Sequence, residues 1–279
     1  MQQPLVSVII RTCQRPEVLK TALNSIREQT YKDIQVVIIE DGENKAEGML
    51  ATEYAGLDYI YEATGSKVGR CTAGNRGLEL ASGQYINFLD DDDCFFPDHV
   101  KLLVNVLLKE GTGAAYAVAE EHQIVVRTEN PYCFKVKKKM IRFRQPFNRL
   151  LLYTSNYIPI QSIMFHRSLY EEWGGFDRQL DTLEDWDLWV RYSTHTDYSF
   201  VDQVTSCYHT PYRKKDKQDR SADLKKYLEP LHAKFKKYGV TLSVEDVNRD
   251  MVFVIREYKD KGFIRYLRMF FRVVFLGER

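Results

Sequence analysis

The sequence lacks any uninterrupted apolar run near the ~20 residues that a membrane-spanning helix needs. Its first residues also lack the basic-then-apolar order of a secretory signal, and a strand pattern begins almost at once, at Leu5. Neither sign of charge is in excess, since the formal net charge is +1. A balanced charge predicts that nucleic acid is not a partner and that any basic patch is local. From these absences we expect a cytoplasmic protein.

Cysteine is scarce and irregularly spaced. The chain has five cysteines, an odd number, and none of them are in a C-x-x-C arrangement. This pattern predicts free thiols in a reducing compartment and argues against a zinc site. The five are Cys13, Cys71, Cys94, Cys133 and Cys207.

What is present is an ordinary globular composition with a strong strand pattern at the start. Residues 5–11 and Ile34–Glu40 are continuous apolar runs typical of strands buried on both faces, and a helical pattern opens between them at Pro16. Strand, helix and strand in so short a space predict a βαβ unit with a parallel sheet and a right-handed crossover.

The remainder of the chain predicts two further regions. A strand at 84–89 and a helix from Pro97 complete a nucleotide-binding half at 1–110. An acceptor-binding half at 111–215 would contain a β-hairpin made of 114–119 and 123–127, and a helix starting near Thr182. Residues 216–279 are predicted to be a C-terminal helical extension.

An acidic run follows the strand at 84–89. Asp90, Asp91, Asp92 and Asp93 would repel one another unless a cation neutralised them. Carboxylates at the carboxyl end of a parallel strand suit Mn²⁺ or Mg²⁺, which also bind substrate phosphates. The alternative is a solvated acidic turn that leads into the next helix.

Four ordered motifs carry a family resemblance, and any one of them alone would be weak. They read VSVIIRTCQRPE, VVIIEDG, GRCTAGNRGLELASGQYINFLDDDD and, after GGFD, LEDWDLWVR. Together they resemble the inverting family-2 glycosyltransferases. The resemblance implies an α/β fold of GT-A type, with a Rossmann-like, mostly parallel sheet flanked by helices. It also implies sugar transfer from a nucleotide-sugar donor, most often a UDP-sugar, to a saccharide or lipid-linked saccharide, in polysaccharide or glycoconjugate biosynthesis.

The resemblance also implies which residues bind the donor. Thr12 would line the nucleobase pocket, and Asp41 would pair with the base. The chain departs from the family pattern at Arg11, where proline is usual, and around Asn75, so the arginine that contacts the diphosphate stays open. The donor-binding set is Thr12, Arg15, Asp41, Arg70, Asn75, Asp90 and Asp91.

For the metal, the resemblance makes Asp92 the main ligand, with Asp90 beside it. His209 follows the last predicted strand and would either complete the metal site or have a structural role.

Asp185 is the expected general base, because transfer with inversion needs one carboxylate to deprotonate the acceptor hydroxyl. Glu184 and Trp186 are expected on the acceptor side. The alternative is a capping box, since Thr182-x-x-Asp185 is also a helix-start pattern. A helix N-terminus would lower the pKa of Asp185 and weaken it as a base.

Two basic segments leave their roles open. Residues 135–149 mix lysine, arginine and phenylalanine. This composition suits single-stranded nucleic acid, anionic lipid head groups, the phosphates of a lipid-linked acceptor or a solvated loop, and we favour the acceptor side. Residues 263–276 form a basic amphipathic pattern too short to span a bilayer. That pattern predicts contact with the cytoplasmic face of a membrane, docking on the core, or a contact between subunits of a homo-oligomer.

Two other functions compete with glycosyl transfer. A sugar-1-phosphate nucleotidyltransferase would share the Rossmann-like half, but its glycine-rich loop is missing after the first strand, where Arg11–Pro16 stands. A non-catalytic nucleotide-sugar-binding scaffold would be expected to lose the base or the acidic cluster, and both are present.

Overall fold

The computed structural model of the protein describes residues 3–180, 182–239, 244 and 247–251, without the side chains of 214–223 and 225. Its strands are β1 (Val6–Thr12), β2 (Ile34–Glu40), β3 (Tyr59–Ala63), β4 (Tyr85–Asp90), β5 (Cys94–Phe95), β6 (Ala114–Glu129), β7 (Tyr132–Ile141), β8 (Ile163–His166) and β9 (Tyr198–Pro211). They form one sheet in the order β3-β2-β1-β4-β8-β6-β9-β5, and β7 pairs with β6 off this path.

Helices flank the sheet. They are α1 (Pro16–Arg27), α2 (Glu47–Glu53), α3 (Arg70–Leu80), α4 (His99–Glu110), α5 (Arg149–Leu152), α6 (Arg167–Trp173), α7 (Glu184–Ser193), α8 (Lys214–Phe235) and a 3₁₀ turn at Ile160–Ser162.

The first half of the sheet is parallel. β1 pairs in parallel with β2 and β4, and β2 pairs in parallel with β3. All seven residues of β1 are buried because helices cover both faces of the sheet, as parallel sheets require. The predicted α/β fold, with a mostly parallel sheet flanked by helices, is confirmed. The register sets Arg11 beside Asp90, so the strands end along one edge.

Two apolar cores lie on opposite faces of this sheet. Ile9 points to the face that packs against α3 and α7, and its neighbour Ile10 points to the face that packs against α1 and α4. This alternation follows from the two-residue period of a strand. The sheet edge that carries the polar side chains is therefore held rigidly from both sides.

The predicted hairpin inside 114–127 is wrong. These residues form one strand, β6, and the true hairpin joins β6 to β7 across Asn130–Pro131. Polar residues near position 121 looked like a turn in the sequence. In the structure, Glu121 is buried within β6 because Thr210 and Gln123 donate hydrogen bonds to it and Arg142 forms an ion pair with it. The strand β7 also shows that 135–141 is not a solvated loop.

The prediction of five free thiols is wrong for two cysteines. Cys94 on β5 lies directly opposite Cys207 on β9, with 5.3 Å between the Cα atoms, and the two form a disulfide. The pairing joins positions 113 residues apart. Spacing along the chain could not reveal it, because only the strand register brings them together. Cys13, Cys71 and Cys133 form no disulfide.

In the part of the chain that the structure describes, no helix is long and apolar enough to cross a membrane. The predicted amphipathic segment at 263–276 lies outside the described residues.

Candidate active site

A cleft of about 1050 Å³ opens at the carboxyl ends of β1, β2 and β4. Ligands of open α/β sheets bind at this edge, and the volume is ample for a nucleotide sugar. Most of the residues predicted from the sequence line it. These are Thr12, Arg15, Asp41, Arg70, Asp90, Asp91, Asp92, Glu184, Asp185 and His209.

The structure does not bring Asn75 or Trp186 into the cleft lining. Asn75 holds the turn before α7 by donating to the carbonyl of Phe176 at 2.9 Å and accepting from its amide at 2.7 Å. Trp186 is buried, and its indole N–H donates to the carbonyl of Leu152 at 2.6 Å. Trp186 therefore belongs to the packed core beside the cleft, and it offers no exposed ring to a sugar.

Arg11 joins the two acidic parts of the site. Its guanidinium donates to Asp90 Oδ1 at 2.7 Å and to Glu184 Oε1 at 2.9 Å. Arg11 is buried, yet Asp90 and Glu184 hold its pKa above the usual range, so it stays charged. One side chain therefore couples the acidic run after β4 to the Glu184–Asp185 pair at the start of α7. The sequence signalled Arg11 only as a departure from the family pattern.

Asp91 is held inside the protein. It accepts a hydrogen bond from Thr12 Oγ1 at 2.7 Å and forms an ion pair with Arg15. Burial raises its pKa to about 7 against the opposing effect of Arg15. Thr12 and Arg15 thus line the cleft, and both contact the same carboxylate.

Asp41 organises the loop that precedes α3. Its two carboxylate oxygens accept from the backbone amides of Val68, at 2.6 Å, and Gly69, at 3.1 Å. Gly69 has φ of 90°, a conformation that favours glycine. This loop leads directly into Arg70, whose side chain is 56% exposed and faces the cleft.

Asp185 is half-buried on the other wall. Its Oδ2 accepts from the Asn156 side chain at 3.1 Å, and its Oδ1 accepts from the Trp186 amide at 2.8 Å. Burial, with the nearby charge of Glu184, raises its pKa to about 6. The expected lowering by the helix N-terminus is outweighed, because removing a carboxylate from water disfavours its charged form. A group with this pKa is a usable base at neutral pH.

The alternative interpretation of a capping box at Thr182 is wrong. The N-cap of α7 is Leu183, which has φ of 64° and contributes no side-chain cap. A positive φ is strained for leucine, and such residues occur mainly where the surroundings impose them, often at functional sites. Leu183 also lines the cleft, immediately before Glu184.

His209 lies against the acidic run on its far side. Its ring Nδ1 forms a hydrogen bond with the backbone carbonyl of Asp92, and its amide donates to Asp93 Oδ1 at 2.9 Å. Burial lowers the pKa of its imidazole, which favours the neutral form.

Sequence reasoning missed a further ion pair in the cleft. Glu121 on β6 pairs with Arg142, which follows β7, and both line the cleft. Although burial opposes it, the hydrogen bonds from Arg142, Thr210 and Gln123 lower the pKa of Glu121 to about 2. The basic composition of 135–149 indicated that an arginine such as Arg142 could face the site. It could not indicate the partner, because Glu121 lies on another strand.

Comparison with solved structures agrees with this architecture. The N-terminal part of S. aureus TarS, solved in complex with UDP-GlcNAc, superposes with a TM-score of 0.68 at 14% identity, over 97% of this chain and 81% of that one. The mannosyltransferase PcManGT from Pyrobaculum calidifontis, in complex with GDP-Man and Mn²⁺, gives a TM-score of 0.57 at 16% identity, over 98% and 86%. At these identities the likeness establishes the fold.

Sequence comparison establishes the family. An uncharacterised glycosyltransferase of Rickettsia prowazekii is 26% identical over 190 residues, which is 68% of this chain and 58% of that protein. The glycosyltransferase YwdF of Bacillus subtilis, also uncharacterised, is 29% identical over 234 residues, 82% of this chain and 83% of that one. The Glycosyl transferase family 2 profile matches residues 7–174. The chain therefore belongs to glycosyltransferase family 2.

Proposed function

We propose that this protein transfers a sugar, with inversion, from a nucleoside diphosphate sugar to a hydroxyl of a saccharide or lipid-linked saccharide. A UDP-sugar is the donor we favour. One observation carries the proposal: Arg11 binds both Asp90 and Glu184, so the acidic run and the candidate base face one cleft. The TarS and PcManGT structures, with UDP-GlcNAc and GDP-Man, support a nucleotide-sugar donor.

The acidic run fits a divalent cation. Asp90 is paired with Arg11, Asp91 with Arg15, and Asp93 with the amide of His209. The hydrogen bonds and ion pairs of these groups do not include the Asp92 carboxylate, although Arg15 and His209 act on it electrostatically. Asp92 borders the cleft. Mg²⁺ and Mn²⁺ commonly use one or two carboxylates together with substrate phosphates. Asp92 would hold the cation with support from Asp90, and the cation would neutralise the departing diphosphate.

The remaining chemistry belongs to the protein's own side chains. In this proposal Asp185 removes the proton from the acceptor hydroxyl, whose oxygen bonds to the anomeric carbon as the bond to the diphosphate breaks. Asn156 orients the carboxylate through its hydrogen bond to Oδ2. Arg15 and Arg70, both at the cleft, supply positive charge for the diphosphate, while Glu184 is held in its ion pair with Arg11.

Calorimetric titration with UDP, dTDP and GDP, each with and without Mn²⁺, tests the donor and metal assignments. We expect one nucleotide to bind in a Mn²⁺-dependent manner and Asp92→Asn to weaken that binding at least ~10-fold, since it removes the proposed metal ligand. Asp98→Asn, an exposed position just beyond the acidic run, is the matched control. Equal binding without the metal would contradict the cation site, and failure of all three nucleotides to bind would contradict the assignment of these nucleotides as the donor base.

Transfer chemistry is tested separately with Asp185→Asn. We expect nucleotide binding to persist and turnover to fall by about 10²- to 10⁴-fold, the usual contribution of a general base. The anomeric configuration of the product, read by NMR, reports on stereochemistry. A product that retains the donor's configuration would contradict the proposal of inversion.

A further inference from the structure

A second group of metal-ligating side chains lies at the β6-β9-β5 end of the sheet. The ligand atoms of His122, Cys207 and His209 lie within 4.8 Å of one another, and Cys94 is bonded to Cys207. We refer to these four residues as the Cys–His cluster. Two imidazoles and two sulfurs are the donor set of tetrahedral zinc sites.

Strand register places the four side chains on one face. His122 on β6 is the register partner of His209 on β9, and Cys94 on β5 is the register partner of Cys207 on β9. Cys207 and His209 are two residues apart, so they point to the same side of their strand. The cluster therefore follows from the pairing of three adjacent strands and does not depend on a single loop.

Each histidine has one ring nitrogen engaged by the protein. His209 Nδ1 is hydrogen-bonded to the carbonyl of Asp92, and His122 Nε2 lies 2.5 Å from a carboxylate oxygen of Glu120. Histidines that ligate metals usually make this kind of contact through the second nitrogen, to a carbonyl or a carboxylate. The contacts orient both rings, and Nε2 of His209 and Nδ1 of His122 would then be the ligand atoms.

The surroundings exclude much of the water. Cys207 and His122 are buried, and the Phe134 ring packs against His209 at a tilt, with 4.6 Å between ring centroids. An apolar cover of this kind protects thiolate ligands and limits solvent access to a bound metal.

We propose that Cys94, His122, Cys207 and His209 bind a zinc-type divalent cation when the Cys94–Cys207 disulfide is reduced. An added phosphine breaks the Sγ–Sγ bond and is itself oxidised to the phosphine oxide. Water supplies the oxygen and the two protons, and two thiols are left on the protein. Both thiols lose their protons when they bind the cation. The sulfurs would then lie about 3.8 Å apart, as two Zn–S bonds of about 2.3 Å in a tetrahedron require. The disulfide and the cation are therefore mutually exclusive occupants of one position.

The Cys–His cluster lies directly beside the acidic run. His209 contacts both Asp92 and Asp93, and Cys94 follows Asp93 directly in the chain. Either occupant ties β5 and the acidic run to β9. This inference does not rest on the proposed transferase activity, and the donor-metal role of His209 stays a prediction beside it.

The experiment measures metal binding to the whole chain in two states. In one state the chain is reduced with a phosphine and freed of metal, and in the other it is oxidised with diamide. We expect the reduced chain to bind about one Zn²⁺ by elemental analysis and, with Co²⁺, to give a thiolate-to-cobalt charge-transfer band. The oxidised chain should lose both signals. This comparison needs no substitution, so it does not depend on a variant folding.

Variants then locate the site. Cys94→Ser and His122→Gln should each weaken Zn²⁺ binding at least ~100-fold, since even supporting residues around a metal cost 10- to 100-fold. Cys133→Ser, an exposed free thiol, should bind as wild type. The proposal is overturned if the reduced chain shows no thiolate band. It is also overturned if Cys133→Ser loses the metal as Cys94→Ser does, or if Asp92→Asn abolishes binding while Cys94→Ser does not.

Discussion

At the scale of single residues, burial decides the chemistry of the candidate base. Asp185 stands second in α7, where the helix dipole favours a charged carboxylate. Burial and Glu184 act in the opposite direction and raise its pKa to about 6. The sequence predicts Asp185 as the base but shows only the helix start and not the depth of burial, so the direction of the pKa shift comes from the structure.

The pKa of Asp185 predicts a pH profile. The carboxylate must be ionised to accept a proton, so kcat/KM should rise about tenfold per pH unit below 6 and level off above it. Rates of transfer between about pH 4.5 and 8 would measure this profile.

Asn156→Leu provides the comparison for this profile. It removes a hydrogen bond that favours the ionised form of Asp185, so the midpoint should move to higher pH. A wild-type profile that is flat through pH 6, or an unmoved midpoint in the variant, would count against Asp185 as the base.

Arg11 is a second residue whose role depends on its surroundings. Its side chain is 7% exposed, and that of Glu184 is 4% exposed. Arg11→Ala would leave Glu184 buried without its closest cation, and we expect the free energy of unfolding to fall by about 3–5 kcal/mol. Urea denaturation at neutral pH measures the change.

Arg76→Ala is the matched control for Arg11. Arg76 also binds two carboxylates, those of Glu62 and Glu79, but its side chain is 40% exposed. Surface pairs of this kind contribute about 0–1 kcal/mol. Similar losses in the two variants would mean that burial does not govern the Arg11 interactions.

At the scale of elements, the sequence predicts a strand or helix correctly where its apolar residues follow one local pattern. β1, α1, β2 and β4 fall within a residue or two of their predicted positions, because apolar runs and Pro16 are local signals. β6 was misjudged, because its polar residues in mid-strand are satisfied by partners on β7 and β9. Local pattern cannot report such long-range pairing.

The packing of α3 on β1 gives a prediction at this scale. A Cβ at Gly77 would lie 2.3 Å from Ile9 Cγ2, so α3 can approach the sheet only with glycine there. We expect Gly77→Ala to lower the free energy of unfolding by about 1–3 kcal/mol, as overpacking usually does.

Gly48→Ala in α2 is the control for Gly77→Ala. A Cβ at Gly48 meets nothing within 4 Å. Alanine should therefore stabilise the protein by up to about 1 kcal/mol through helix propensity. Thermal or urea unfolding of both variants checks the pair, and stabilisation by Gly77→Ala would refute the close approach of α3.

At the scale of the whole molecule, α8 is part of the core although the sequence placed it in an appended extension. Leu231 and Phe235 are buried, and Phe235 lies 5.4 Å from the Trp186 ring, centroid to centroid. The helix thus supports α7, which carries the candidate base. The division of the chain at 215/216 remains a prediction.

Lys234 provides a test of this docking. Its ammonium donates to Asp187 on α7 at 2.8 Å and to Asp177 at 2.7 Å, and Asp187 is fully buried. We expect Lys234→Met to lower the free energy of unfolding by about 2 kcal/mol, less than for a fully buried pair because Lys234 is partly exposed.

Lys237→Met, an exposed position just past α8, is the control for Lys234→Met and should change stability by less than about 0.5 kcal/mol. Equal unfolding midpoints for the two variants would show that α8 does not contribute through Lys234.

The sequence by itself determined the parallel half of the sheet, the family, and most of the cleft, because these depend on apolar periodicity and on polar residues that directly follow strands. Only the tertiary structure decided which groups act on one another. Arg11 joining Asp90 to Glu184, and Cys94 meeting Cys207, link positions far apart in the chain. The physical reason is that burial, strand register and charge pairing arise between elements, and the spacing of residues within one element does not encode them.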